Sequence, residues 1–422
     1  MTASRSVSSP AALGASATKS IAMQRRDRPW VDTYVTILCG PFAMPSVDAI
    51  RAAVAAVGDR HEHSRLAWGF DDAKRRWLTP RSLESVVVER DWDERLDYGR
   101  IVDGVAGDES LEPPLTFVRF PDHFAMKMSH SLGDGLMFVT VVAAVMLAAV
   151  TGEVLPWPTK PAGRLPLLRA GLRTFGRDPA LVRSALRDRP RSIGVDTAAP
   201  TRPWAPSRHS VHAYLPPDQS GEVYSWAAEH APGASRFAVQ TALLMAGLRR
   251  AGMKLSDDIR VMVDLRSYLG SGFIDGNFFA GVPMQLRWDM TPGQIAETVK
   301  ATKTSGRPLA NQIVTSLRVG SAIPLRTEVE DDALAQVTFS YVGAPPQIDM
   351  LPYLPGHEPV YASRVEPGGP NGLTFLQGHC RGGMLLTACF HDNVIDAELV
   401  TAAMKLVGSD PIGLLSEQGR VR

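Results

Sequence analysis

Cysteine is scarce. Cys39, Cys380 and Cys389 are the three in 422 residues, and no two stand at Cys-x-x-Cys spacing. So few, odd in number and far apart, argue against a disulfide scaffold and fit a reducing cytoplasm. An excess of charge of one sign is also lacking. The formal net charge is +1, which gives no global attraction for nucleic acid, so no nucleic-acid partner is expected and any electrostatic partner must meet a local patch. No apolar run is long enough to cross a bilayer: LMFVTVVAAVMLAAV at 136–150 holds 15 residues, where a spanning helix needs about 20. That run reads as a helix buried on all sides. A Walker A loop, a Gly-x-Gly-x-x-Gly turn after a strand and a Gly-x-Ser-x-Gly elbow are all missing, which removes the usual signatures of phosphate cradling and of α/β-hydrolase chemistry. His61-Glu62-His63 has no further ligand at metal spacing, and no metal is expected.

What is present is strand and helix mixed through both halves, which predicts the α/β class with mixed sheets flanked by helices. Residues 1–28 are rich in Ser, Ala and Thr, end in a basic run, and read as a disordered tail. A first lobe follows at 29–155, with a strand at 30–40, a helix capped by Ser46, strand-like runs at 85–88, 115–119 and 124–128, and the apolar helix from 136. Residues 156–206 are crowded with Pro and Arg and mark a crossover. A second lobe occupies 207–422, with strands expected at 259–264, 281–286, 336–342 and 384–391. Inside the crossover, Leu165, Leu168, Leu172 and Phe175 recur at helical spacing, while Arg169, Arg173 and Arg177 take another face. Such a basic amphipathic helix either packs on its own protein with a solvated basic face or, over 165–187, meets a membrane surface or an acidic protein.

The chemistry concentrates in SHSLGDG at 129–135, between a strand and the buried helix. Histidine takes and returns a proton near neutral pH, and His130 stands at the strand end. Asp134 sits at the helix entry, where a carboxylate caps free N–H groups, and Gly133 and Gly135 are expected to let the backbone turn sharply. The cap accounts for Asp134 but leaves His130 without a structural reason.

SHSLGDG resembles the His-x-x-x-Asp-Gly signature of the acyltransferase superfamily with the chloramphenicol acetyltransferase fold. That superfamily includes nonribosomal peptide condensation domains, polyketide-associated acyltransferases and wax ester synthases. Three more segments are similar and in order: RHEHSRLAW at 60–68, VDLRSYLGSGFIDGNFFAGVP at 263–283 and VTFSYVGAPP at 337–346. The resemblance spans residues 30–410. It implies two chloramphenicol acetyltransferase-like lobes with a channel between them, and His130 as the base that deprotonates an acceptor hydroxyl or amine for attack on a thioester. Asp134 is then a loop-fixing residue paired with an arginine, Arg65 or, preferably, Arg266. Ser129 replaces the first histidine of many condensation domains, and Ser340 replaces the asparagine of their Asn-Tyr strand, which favours ester over amide formation. Asn277 and Ser340 become candidates for lining the channel or donating to the oxyanion, with plain packing as the other reading. Phe278, Phe279 and Met284 suggest a hydrophobic lining.

The implied enzyme holds no bound cofactor. Its co-substrate is acyl-CoA or the phosphopantetheine thioester of an acyl carrier protein, and its acceptor is a small-molecule alcohol or amine of lipid or natural-product type. The expected place is the cytoplasm, peripheral to the membrane if the basic helix docks there. The rival reading is a catalytically silent module of the same fold that binds a carrier protein.

Overall fold

The computed structural model describes residues 18–418, except 72, 162, 164, 177, 188–199, 257–258, 271–273 and 319–325. Two mixed sheets dominate. The first runs Val360–Val365, Tyr34–Gly40, Phe124–Ser129, Leu115–Arg119 and Val87–Glu89 in spatial order. The second runs Phe279–Met284, Ile259–Asp264, Gln336–Gly343, Gly372–Cys380, Gly383–His391 and Arg208–Leu215.

Each sheet covers an apolar core. Helices Val47–Arg60 and Gly135–Thr151 pack together within the first core, and Arg236–Arg250 and Ala397–Ser409 within the second. The helix Gly135–Thr151 buries Met137 through Met146 without a break, so it shows almost no polar face, as its composition predicts. Ser46 caps the helix Val47–Arg60 by accepting from the N–H of Ala49 at 3.2 Å.

Two expectations about the domains are corrected. Residues 18–28, read as part of a disordered tail, are built into the fold, while 1–17 lie outside the described residues. Lys19–Ala22 pairs with Arg76–Thr79. Beyond that strand Arg26 is 4 % and Asp27 0 % exposed, because both are needed as partners for buried polar groups near the motif. The boundary at 206/207 is not a clean spatial division either. Val360–Val365, from the second half of the chain, pairs antiparallel with Tyr34–Gly40 and completes the first sheet.

Arg364 fixes that crossing strand. Its Nε donates to Asp103 Oδ1 at 2.8 Å, and Asp103 also accepts from Ser210 N and Oγ at 2.8 and 2.7 Å. Asp103 belongs to the helix Tyr98–Gly107, so a single carboxylate ties a strand of each sheet to one helix.

The crossover holds the helices Pro166–Phe175 and Pro179–Arg187. The structure divides the predicted apolar stripe. Pro166 and Ala170 are the buried positions, whereas Leu165, Leu168 and Leu172 are 65, 53 and 63 % exposed. Leu167 and Phe175 reach the second core in their place. Arg177 lies outside the described residues.

Candidate active site

Phe124–Ser129 delivers His130 to the edge of the first lobe, where the second lobe meets it. The ring is 8 % exposed. It stacks on Trp30 at 4.8 Å between centroids, leans on Phe279 at 5.3 Å and meets Phe138 edge-on at 5.0 Å. Three aromatic walls leave the imidazole one orientation and strip most of its water. The backbone N–H of His130 donates to the carbonyl of Thr33 at 2.7 Å, which fixes the main chain beneath it.

Asn277 sets which ring nitrogen carries the proton. Its Nδ2 donates to Asp27 Oδ1 at 3.1 Å and to the carbonyl of His130 at 2.7 Å. Both partners are acceptors, so the reverse amide orientation would set oxygen against oxygen. The amide oxygen is therefore the atom 2.9 Å from His130 Nδ1, and Nδ1 must donate. A neutral imidazole with Nδ1–H keeps its lone pair on Nε2, and the side-chain bond of the ring among the described residues is the one at Nδ1. Burial pushes the His130 pKa below the ordinary 6.5, against the opposing effects of its own backbone, Asp134, Asn277 and the backbone of Gly133. The ring is thus held neutral and basic at Nε2 near neutral pH.

Asp134 makes the expected arginine pair but not the expected helix cap. It stands at the N-cap position of Gly135–Thr151, but its side chain makes no cap bond. Its carboxylate instead takes two hydrogen bonds from Arg266, at 2.9 and 3.1 Å, and one from the N–H of Phe278 at 3.1 Å. Arg266 opens the short 3-10 turn Arg266–Leu269 of the second half and also donates to the carbonyls of Ile274 and Gly276. Arg65, the other arginine considered, serves Asp27 at 3.2 Å and the carbonyl of Ser131 at 3.4 Å.

The remaining predicted positions divide. Ser129 Oγ donates to the carbonyl of Val31 at 2.9 Å and shares a bond with Ser131 Oγ at 2.8 Å, pinning the motif turn to the segment that carries Trp30. Neither Gly133 nor Gly135 has the positive φ that a sharp glycine turn would show. What Gly133 supplies is space, since a Cβ there would lie 2.3 Å from Met137 Cγ. Gly135 leaves room beside Val342, 3.6 Å from where its Cβ would stand. Gly276, with φ +79°, is the residue whose conformation requires glycine; it turns the chain so that Asn277 reaches His130.

Asn277 is a positioning residue for the histidine and not an oxyanion donor, because both its N–H groups are already engaged. No hydrogen bond among the described residues joins Ser340 to His130. Of the three proposed lining residues, Phe279 alone touches the imidazole. Phe278 and Met284 point the other way along the chain into the second core.

Trp30, Asp27 and Phe138 went unnoticed as site residues. Asp27 lay in the segment read as a tail. Trp30 and Phe138 carried no motif and looked like ordinary strand and core residues. Nearby, a narrow crevice with room for about one water molecule lies between the crossing strand and the second sheet, lined by Val342, Tyr361, Ser363, Gln377, His379 and Thr387. Val342 is the residue that packs against Gly135, so the crevice adjoins the motif helix. No cluster of His, Cys, Asp or Glu able to hold a metal occurs among the described residues. His61 and His63 approach the carbonyls of Leu155 and Thr159 instead.

No protein-family model matches the chain, and no curated protein matches its sequence. Solved structures do match in fold. Polyketide synthase associated protein 5 from Mycobacterium tuberculosis is 15 % identical with a TM-score of 0.56, over 93 % of this chain and 98 % of that one. The condensation domain from Monacolin K polyketide synthase MokA is 14 % identical with a TM-score of 0.57, over 96 and 98 %. F. sporotrichioides TRI101, complexed with coenzyme A and T-2, is 11 % identical with a TM-score of 0.58, over 93 and 97 %. With its two mixed sheets, its crossing strand and this likeness over almost its whole length, the chain has the fold of the condensation domains and chloramphenicol acetyltransferase-like acyltransferases.

Proposed function

We propose that this chain is an acyltransferase that moves an acyl group from a thioester, either acyl-CoA or the phosphopantetheine arm of a carrier protein, to a hydroxyl and less readily to an amine. The observation that carries the reading is the fixed tautomer of His130: Nδ1–H on Asn277 Oδ1 at 2.9 Å, with the lone pair left on Nε2. In this reaction Nε2 accepts the proton of the acceptor hydroxyl as its oxygen attacks the thioester carbonyl. The tetrahedral oxyanion then collapses, the C–S bond breaks, and the proton on Nε2 passes to the leaving thiolate. The walls made by Trp30, Phe138 and Phe279 keep water from competing with the acceptor. Asp134 and Arg266 hold the turn that carries the base.

The test is intact-mass or product analysis with a panel of acyl-CoA and acylated carrier-protein donors against long-chain and polyketide alcohols. Thiol release coupled to ester formation, lost in His130→Ala, is expected. Binding of an acylated carrier protein with no transfer to any acceptor would overturn the enzymatic reading in favour of a silent module.

A further inference from the structure

The first helix of the crossover and its N-terminal flank turn three leucines outward. In an amphipathic helix that serves only its own protein, the large apolar residues face the core and the polar ones face water. In Pro166–Phe175 the small residues lie inward: Ala170 is fully buried, and Gly171 stands close to Ile313, whose Cδ1 lies 3.3 Å from where a Cβ would be. Leu165, Leu168 and Leu172, spaced to form one outward stripe, are more than half exposed. Val182 of the next helix is 39 % exposed, and Leu317, one turn beyond Ile313 on Arg307–Arg318, is 73 % exposed. These three helices pack against one another. Ten large apolar residues are exposed among the described residues, and five of them fall here. Scattered exposed leucines are normal in a soluble protein, whereas a cluster of this kind marks a contact surface.

Charge identifies the contact. Over 165–187 the sequence has five arginines and one acidic residue, Asp178. Arg169, Arg173 and Arg183 are exposed beside the leucines, and none of the three makes an ion pair among the described residues. Arginines flanking an exposed leucine stripe match an anionic lipid surface, where acyl chains receive the leucines and headgroups the guanidinium groups. An acidic carrier protein would satisfy the arginines but would leave the leucine stripe without need of insertion.

We propose that Pro166–Phe175 and Pro179–Arg187 form an interfacial docking face for an anionic bilayer, with Leu165, Leu168 and Leu172 inserted below the headgroups. The proposal stands apart from the acyl-transfer reading, since it concerns residues outside the site. It is tested with the full chain and two kinds of vesicle: phosphatidylcholine alone, and phosphatidylcholine carrying phosphatidylglycerol as a minority component. Co-sedimentation is expected with the second kind and is weakened by salt. Arg169→Glu with Arg183→Glu should lower that binding by about fivefold or more for each charge removed, the equivalent of one headgroup contact. Leu165→Ser, Leu168→Ser and Leu172→Ser together should lower it by more than about tenfold while leaving thermal melting unchanged, because the side chains are already exposed. Failure of the wild-type chain to sediment with anionic vesicles would overturn the proposal. So would wild-type binding by the leucine variant, or loss of affinity for an acidic carrier protein in the arginine variant with no vesicle binding by either form.

Discussion

Arg266 and Asp134 join the two halves of the molecule through a buried, two-point contact at 2.9 and 3.1 Å, 132 residues apart in sequence. Both are less than a tenth exposed. The pair holds the turn that carries His130 on one side and the loop that carries Asn277 on the other, so the geometry around His130 depends on a contact between lobes.

Asp134→Ala takes from the buried Arg266 its two-point partner and leaves it the more exposed carboxylate of Asp264 at 3.2 Å. A loss of about 3 kcal/mol of stability is expected, the low end for breaking a buried pair and more than the loss of a helix cap would cost. The loss of Asp134 and Arg266 together should cost clearly less than the sum of the single losses. Denaturant unfolding of the two single variants and the double variant measures this. Additive losses would mean that the contact carries little coupling.

His130→Ala should fold normally and turn over more slowly by about 10²–10⁴, the range of a general base. Near-wild-type turnover would remove Nε2 from the mechanism. Circular dichroism and melting on the same samples separate chemistry from folding.

The pH dependence has a defined sign. Burial lowers the His130 pKa below 6.5, so the neutral, proton-accepting form persists to lower pH than for a free histidine. The acidic limb of kcat/KM should fall below pH 6.5, with activity lost as pH drops through the folded-state value. Stability follows the same direction: below the unfolded-state value the unfolded chain takes up a proton that the folded ring resists, and the folded state loses ground as pH falls. An acidic limb above that value would show that another group controls the rate.

Asn277→Ala removes the acceptor from Nδ1, a bond that raises the histidine pKa. The acidic limb should move further down, and kcat should fall about tenfold or more as the ring loses its fixed tautomer and orientation, with KM little changed. A change in KM alone would place Asn277 in substrate binding.

Asp103→Ala should release the crossing strand. It leaves the guanidinium of Arg364, 2 % exposed in its side chain, with Glu366, at 3.7 Å, as its remaining carboxylate among the described residues. A loss of about 3–5 kcal/mol is expected, read as a lowered denaturation midpoint. Hydrogen exchange should rise first at Val360–Val365, where the first sheet gains its edge strand from the second half.

The amino-acid sequence alone determined the α/β class, the buried helix at 136–150 and the motif turn at 129–135 between a strand and that helix, because hydrophobic period and turn residues are local signals. It also singled out Arg266 as the partner of Asp134 through resemblance to a family. It placed Asn277 among the candidates but could not assign its role, which depends on which acceptors surround one amide group: Asp27 and the His130 carbonyl, 250 and 147 residues distant. Asp134 read as a cap since its neighbours in sequence offered free N–H groups; in the folded chain a guanidinium from the other lobe outcompetes them with two charge-assisted bonds. The segment 18–28 looked like a tail because its composition is polar, yet Asp27 is buried as the acceptor for Asn277 and Arg65. VYASRV at 360–365 gave no strand signal strong enough to register, and nothing local could say that it would pair with Tyr34–Gly40. The leucines of 165–172 showed the helical period but not its direction. Which face of a helix meets the core is decided by the surfaces it packs against, and here those surfaces accept Ala170 and Gly171 and turn the leucines outward.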